Sequence, residues 1–174
     1  MKTIAQRMGT IGLQILAAWA ASGGFLCALA QASPKGPVVL TVSGKINAPV
    51  SSQVVTFDMA MLQAMPQKTW TTRTPWDVHQ VTFSGPLLRD VLAAVKASGS
   101  ELRAVALNDY RVRIPVSDAE QFDVVVALRM NGKPIPVRTK GPLFIVYPFD
   151  ANPVLQAKLY YERAIWQLKA IEVE

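Results

Sequence analysis

Apolar residues recur along the chain with two different spacings, and each spacing predicts a different kind of element. The β-branched run from Val38 to Val42 predicts a strand that ends at Ser43-Gly44. Between Val78 and Phe83 polar and apolar residues alternate, which is typical of a half-buried strand. After Gly85-Pro86 comes an apolar stripe at helical spacing, which Gly99 closes. Its members are Leu87, Leu88, Val91, Leu92 and Val95. This helix should pack on a sheet.

The remaining apolar runs predict many strands and few helices. Asp58 can cap a short helix over Met59 to Met65, which Pro66 ends. Asn131-Gly132 is the strongest short-range hairpin signal in the chain. Further strands are predicted at Ala104–Leu107, Arg111–Ile114, Val124–Met130, Leu143–Tyr147 and Trp166–Val173. This mixture indicates a single α+β domain rather than a regular βαβ series.

The N-terminal segment, residues 1–32, has a pattern of its own. Lys2 and Arg7 make its start positive, and no other charged residue occurs before Lys35. An apolar stretch over residues 11–21, a glycine pair and the small residues Ala30 and Ala32 complete the layout of a cleavable signal peptide. No twin arginine is present. We therefore predict Sec-type export, with residues 33–174 forming a periplasmic domain; the length also permits a retained membrane anchor.

Charge and residue counts exclude several classes of function. The formal net charge is +6, from 18 basic and 12 acidic residues, but the basic residues are scattered, so no nucleic-acid partner is expected. The chain has one histidine, His79, and one cysteine, Cys27, which lies in the predicted signal peptide. These cannot fill a His/Cys metal site or build a hydrolase triad. What remains as a basis for function is a set of aromatic and polar residues.

Four segments that look like loops combine aromatic with polar residues. They are Lys68–Asp77, Asn108–Arg111, Arg138–Pro142 and Tyr147–Asp150. A flat heteroaromatic ligand needs an aromatic face to stack on, an acceptor for its amino group and donors for its oxygens. The four segments contain all three kinds of group. The alternative is that Trp70 and Trp76 serve only in packing.

Several segments, in the same order, resemble the sulfite-oxidase-type molybdopterin-binding domain. Phe83 to Leu92 resembles its aromatic-x-Gly-x-x-Leu-x-Asp-hydrophobic-Leu segment, and Asn108-Asp109-Tyr110 its Asp-Gly-Tyr stretch without the glycine. Leu128 to Pro136 and Lys140 to Leu143 resemble its Asn-Gly and Gly-Gly-Pro-Leu pieces. The resemblance implies an α+β fold with several sheet layers.

One departure from that family concerns its metal. Enzymes of the family ligate molybdenum through a cysteine upstream of the aromatic-x-Gly segment, where this chain has Thr71 to Thr74. A threonine hydroxyl cannot replace a soft thiolate ligand. The molybdenum cofactor is therefore not expected, although a molybdopterin-dependent oxidoreductase subunit or fragment remains the alternative. A structural adaptor whose pocket is filled by its own tryptophans is a third possibility.

The chain is similar to short exported members that carry Thr-x-Thr-Pro-Trp in place of the cysteine. Here this motif is Thr72 to Trp76, with Tyr147 to Asp150 and Ile165 to Leu168 matching two further segments. The similarity implies a periplasmic regulator that binds a reduced pterin without metal. Its implied partner is the periplasmic domain of a membrane signalling protein that makes or degrades cyclic diguanylate.

The same resemblance implies roles for individual side chains around the pterin. Trp76 would stack on the ring, with Trp70 as a competing platform. Asp109 would accept from the 2-amino group, and Tyr110 would close the wall. The carbonyl or hydroxylated tail would contact the remaining site residues, which are Arg73, Thr74, Arg138, Lys140 and the backbone around Gly141. Trp166 is expected in the core.

Overall fold

The computed structural model describes residues 33–47 and 54–174. The predicted signal peptide lies outside these residues. Within the described part of the chain, no helix is both long and apolar enough to cross a membrane. The strands are β1 Val38–Gly44, β2 Val54–Asp58, β3 Gln67–Thr72, β4 Val81–Pro86, β5 Glu101–Ala106, β6 Arg111–Pro115, β7 Val125–Ala127, β8 Arg129–Met130, β9 Lys133–Pro134, β10 Phe144–Val146 and β11 Leu168–Val173. The helices are α1 Met59–Ala64, α2 Leu88–Ala94, α3 Val116–Gln121 and α4 Lys158–Arg163, with a 3₁₀ turn at Pro153–Gln156.

The largest sheet has five strands in the order β2-β1-β11-β5-β6. The pairing of β1 with β11 is parallel and the other pairings are antiparallel. Side chains alternate along β1, so that Leu40 and Val42 are buried while their neighbours are partly exposed. Strand β5 alternates in the same way, with Leu102 and Ala104 inside. One face of this sheet therefore covers the core.

Two smaller sheets complete the architecture. One has the order β3-β4-β8-β9, and the other is the antiparallel pair β10-β7. All six residues of β7 and β10 are buried, and the ring of Phe144 meets that of Phe83 on β4 edge-on at 5.6 Å. Helix α2 buries Leu88, Val91 and Leu92 against the same core. The predicted α+β class is confirmed.

Most predicted elements form where the sequence places them. Asp58 caps α1 by accepting a hydrogen bond from the backbone N–H of Met61 at 2.8 Å, as its capping role requires. The turn between β5 and β6 is formed at Asn108-Asp109, and Asp109 adopts a φ of 65°. The hairpin between β8 and β9 turns at Asn131-Gly132, both with positive φ.

Several predictions of local structure were wrong, and the three that follow have clear physical reasons. Residues 78–80 are not part of a strand, and Val78 is 95% exposed, so the alternation there has no buried face. The predicted strand Val124–Met130 divides at Leu128 because β7 pairs with β10 whereas β8 pairs with β4. The first half of the Lys68–Asp77 segment is not a loop, since β3 forms six pairs with β4.

Candidate functional site

The domain contains a cavity of about 530 Å³ with several aromatic residues in its lining. Three separate segments form its walls: the residues after β3, the turn between β5 and β6, and α4 with the residues that follow it. The lining residues are Pro75, Trp76, Ala106, Asn108, Tyr110, Lys158, Tyr161, Glu162, Ala164, Ile165 and Trp166. Four of the eleven are aromatic, and the volume lies within the range typical of small-molecule sites.

Trp76 is fixed by rings that surround it on several sides. Its ring centroid lies 6.0 Å from that of Phe144 and 5.9 Å from that of Phe149, both of which are buried in the core. On the cavity side it contacts Tyr161 at 6.2 Å and Trp166 at 5.8 Å, both with tilted or edge-on geometry. Trp76 therefore joins the core to the cavity, and its orientation is set before any ligand arrives.

The loop that carries Trp76 is held by a partly buried ion pair. Lys140 donates from Nζ to both carboxylate oxygens of Asp77, at 2.7 and 2.6 Å, and Thr74 donates from Oγ1 to Oδ2 at 2.7 Å. Burial would raise the pKa of Asp77, but the hydrogen bonds from Lys140 and Thr74 outweigh it and hold this pKa below its usual value. Lys140 also lies 6.0 Å from the Trp76 ring centroid. Thr74 and Lys140 are thus close to Trp76, and both are engaged in positioning its loop.

The turn between β5 and β6 separates two of the predicted residues. Tyr110 lines the cavity and is half exposed, and its backbone N–H donates to Asn108 Oδ1 at 3.2 Å. Asp109 does not line the cavity. Its Oδ1 accepts from Lys169 Nζ at 2.8 Å, and that hydrogen bond lowers the pKa of Asp109. Lys169 belongs to the wall of another cavity, of about 510 Å³.

Three other predicted residues lie away from the aromatic cavity. Arg73 is exposed, and its backbone N–H donates to Asp150 Oδ2 at 2.9 Å. Arg138 is also exposed and lines neither cavity. Gly141 is buried, and a Cβ at this position would overlap the backbone carbonyl of Ile135. Gly141 therefore permits a close backbone approach that shapes the fold and does not itself line either cavity.

The two tryptophans that the sequence left in competition have different environments. Trp70 lies on β3 opposite Phe83, with ring centroids 5.5 Å apart, and its indole N–H donates to the backbone carbonyl of Asp123 at 3.0 Å. It does not line the cavity, whereas Trp76 does. Trp166, which was expected in the core, is 38% exposed and lines the cavity beside Trp76.

Helix α4 supplies the wall that sequence reasoning missed. It contributes Lys158, Tyr161 and Glu162 to the cavity. No helix was predicted there, since the segment buries no side chain and so lacks an apolar stripe. For Trp166 the sequence does carry a signal, because this residue belongs to the Ile-Trp-Gln-Leu segment of the family resemblance.

A buried polar network attaches α4 to the rest of the domain. Arg163, the last residue of α4, donates from Nη1 to both oxygens of Asp118 on α3, at 3.1 and 2.8 Å. The Tyr147 hydroxyl donates to Asp118 Oδ2 at 2.7 Å. Burial, together with the neighbouring Asp118 carboxylate, raises the pKa of Tyr147 well above its usual value, so its phenol stays protonated. The network therefore fixes the position of the cavity wall.

Enzymes of the family have their molybdenum ligand at the position where this chain has threonines. The hydroxyls of Thr72 and Thr74 at this position already form hydrogen bonds within the protein. Thr72 Oγ1 accepts from the backbone N–H of Asp150 at 2.9 Å, and Thr74 Oγ1 is bonded to Asp77. The described residues include no cysteine and no cluster of three His, Cys, Asp or Glu side chains that could hold a metal ion. These residues do not fit a molybdenum centre anchored by a protein thiolate.

Comparison with known proteins defines the class of this domain. Residues 35–150 match the family described as oxidoreductase molybdopterin binding domain. The chain belongs to this family. No curated protein matches it.

Among solved structures, the chain is similar to the sulfane dehydrogenase SoxCD from Paracoccus pantotrophus, with a TM-score of 0.60 and 16% sequence identity. The similarity covers 77% of this chain and 37% of that one, so the chain spans little more than a third of its structural relative. The shared architecture is the sulfite-oxidase-like fold, and at this identity the likeness concerns the fold alone.

Proposed function

We propose that this domain binds a reduced pterin in the aromatic cavity without a protein-bound metal, and that it is not itself a catalyst. The observation that carries the proposal is the cavity of about 530 Å³ walled by Trp76, Tyr110, Tyr161 and Trp166, in a domain whose family is described as binding molybdopterin. A bicyclic pterin ring is flat and has polar edges, which suits a site with aromatic walls and a polar rim.

The energetics of stacking support a specific platform. An aromatic contact contributes roughly 0.5–1.5 kcal/mol beyond the area that it buries. Trp76 is held by Phe144 and Phe149 before any ligand binds, so little side-chain entropy is lost on binding. Tyr110, which is half exposed, offers a second aromatic face from the turn between β5 and β6. We therefore assign Trp76 as the stacking platform and Tyr110 as the closing wall.

A fluorescence titration with tetrahydropterin under anaerobic conditions tests this site. Two of the three tryptophans in the described residues line the cavity, so binding should quench much of the intrinsic emission. Trp76→Ala should weaken binding about tenfold, which corresponds to about 1.4 kcal/mol. Trp70→Phe is the matched control, because Trp70 lies outside the cavity, and this variant should keep the wild-type affinity. Equal affinity of Trp76→Ala and wild type would contradict the assignment.

The second candidate is a molybdopterin-dependent oxidoreductase subunit, which the family match favours. The threonine hydroxyls bonded to Asp150 and Asp77 speak against it, since they offer no thiolate. Metal analysis and mass spectrometry of the protein purified from its own host separate the two candidates. We expect a metal-free pterin and molybdenum far below stoichiometric amounts. Stoichiometric molybdenum would establish the second candidate instead.

We also propose that the protein acts in the periplasm as a pterin-dependent partner of the periplasmic domain of a membrane signalling protein. The predicted signal peptide and the similarity to exported pterin-binding regulators support this role. Cell fractionation should find the mature protein in the periplasm. Replacing the gene by its Trp76→Ala form should change cellular cyclic diguanylate in the same direction as deleting it. The Trp70→Phe form should leave it at the wild-type level, and a wild-type level in the deletion strain would contradict this role.

A further inference from the structure

One carboxylate lines the aromatic cavity, and it is not the one that the family resemblance selected. Glu162 on α4 is the only acidic residue among those that line this cavity in the described chain. Its Oε1 pairs with Lys158 Nζ at 3.2 Å, and its Oε2 has no hydrogen-bond partner among the described residues. The cavity wall therefore presents an acceptor that is still available to a ligand.

A ligand can easily displace the ion pair that Lys158 forms with Glu162. This ion pair joins two side chains that are 88% and 57% exposed and lie four residues apart on one helix. Such a pair contributes little to stability because water screens both charges. A ligand that donates to Glu162 from inside the cavity therefore meets little competition from this lysine.

Asp109, by comparison, is already engaged elsewhere. Its carboxylate is paired with Lys169, which belongs to the wall of the other cavity, and Asp109 itself does not line the aromatic one. Asn108 in the same turn does line the aromatic cavity. Its Oδ1 accepts from the Tyr110 backbone, which leaves its amide N–H groups as donors.

We infer that Glu162, and not Asp109, selects the ligand. The Glu162 carboxylate accepts hydrogen bonds from two adjacent N–H groups on one edge of the ligand ring. This inference rests on the proposed pterin site and deepens it. The pyrimidine edge of a pterin carries a 2-amino group next to an N3–H, and a carboxylate can accept from both. The Asn108 amide supplies the complementary donor for a carbonyl oxygen. The site therefore prefers a 2-amino-4-oxo ring over a 2,4-dioxo ring, which lacks the amino donor.

A matched pair of ligands and a matched pair of variants test the inference. Tetrahydropterin and tetrahydrolumazine differ at position 2, where an amino group is replaced by an oxo group. Wild-type protein should prefer the pterin by about tenfold or more, because a hydrogen bond to a charged acceptor is lost with the dioxo ring. In Glu162→Gln the preference should fall to about twofold or less. In Asp109→Asn it should remain at the wild-type value.

The outcomes separate the inference from the proposal beneath it. Failure of wild-type protein to bind either ring would overturn both the pterin site and the role of Glu162. Binding by the wild type with an undiminished preference in Glu162→Gln would overturn the role of Glu162 alone. Loss of the preference in Asp109→Asn would return the acceptor role to Asp109. Because Glu162 is exposed on a short helix, Glu162→Gln should fold normally, and its circular dichroism spectrum checks this.

Discussion

The attachment of α4 through Arg163 gives the sharpest stability prediction. Replacing Arg163 with methionine keeps an unbranched apolar stem but removes the guanidinium that contacts both oxygens of Asp118. The Asp118 side chain is 6% exposed and that of Arg163 is 17% exposed, so the ion pair is largely shielded from water. In Arg163→Met the carboxylate stays buried with the Tyr147 hydroxyl as its remaining side-chain partner. An orphaned buried charge is the expected cause of instability.

The expected cost is about 3 kcal/mol. Breaking a buried ion pair by removing one partner costs roughly 3–5 kcal/mol, and the lower end applies because the guanidinium keeps some contact with water. Arg163 also lies over the Tyr160 ring, with its Cζ 5.3 Å from the centroid, and this contact is lost too. For a domain of this size, about 3 °C per kcal/mol predicts a melting temperature about 10 °C lower.

Urea denaturation followed by circular dichroism measures this cost, and Arg113→Met is the matched control. Arg113 pairs with Glu101 at 3.2 Å on the surface, where its side chain is 65% exposed. Losing such a pair should cost less than about 1 kcal/mol. In the double variant Asp118→Asn/Arg163→Met no buried charge is left without a partner. Its destabilisation should therefore be smaller than the sum of the two single losses by at least about 1.5 kcal/mol.

Two results would refute this reasoning. A loss below about 1 kcal/mol in Arg163→Met would mean that the pair is solvated like a surface contact. Strictly additive effects of Asp118→Asn and Arg163→Met would mean that the two side chains do not interact energetically. The variant also bears on the site, because α4 presents Tyr161 and Glu162 to the cavity. A loosened α4 should weaken pterin binding even under conditions where Arg163→Met is fully folded.

Three further predictions concern pH and close packing. The raised pKa of Tyr147 means that its protonated phenol stabilises the fold below about pH 10, the usual tyrosine pKa. This stabilisation is lost progressively as the pH rises above that value. Tyr147→Phe should therefore lose less stability than wild type between neutral and strongly alkaline pH. The lowered pKa of Asp77 means that its carboxylate stabilises the fold above about pH 4 and that this stabilisation is lost on acidification. In Lys140→Met the loss of stability on acidification should be smaller. Gly141→Ala should abolish or severely weaken folding in thermal melts, whereas Gly132→Ala, with open space but a φ of 75°, should cost only about 1–2 kcal/mol.

The sequence predicted the fold well where local chemistry decides the structure. The capping carboxylate of Asp58, the turns at Asn108-Asp109 and Asn131-Gly132, and the apolar stripe of α2 each act within a few residues. Such signals can be read without knowing the tertiary structure. The division of the predicted strand at Leu128 could not, because it depends on which distant strands, β10 or β4, approach each half.

The candidate site was predicted only in part because it is assembled from distant segments. Composition indicated the loop of Trp76 and the turn of Tyr110. It did not indicate α4, because this helix lacks the apolar stripe from which a helix is predicted. It also could not choose between two tryptophans. Trp70 pairs with Phe83 across the strands and packs against its ring, so Trp70 is not available to stack on a ligand in the cavity. This pairing follows from the register of β3 with β4, which the sequence alone does not show.

The two candidate acceptors for the proposed ligand differ in what the family motif says of them. Asp109 occupies the motif position, yet its carboxylate is neutralised by Lys169 on β11, a residue far away in sequence. Glu162 belongs to no recognised motif, but the buried contact between Arg163 and Asp118 holds its helix at the cavity. The chain thus keeps the fold of a molybdopterin-binding family, and in the proposed pterin site a different element, α4, supplies the polar contact. Changes in such a domain's ligand preference should accordingly be sought first on α4, where a substitution alters the cavity wall without disturbing the strands of the core.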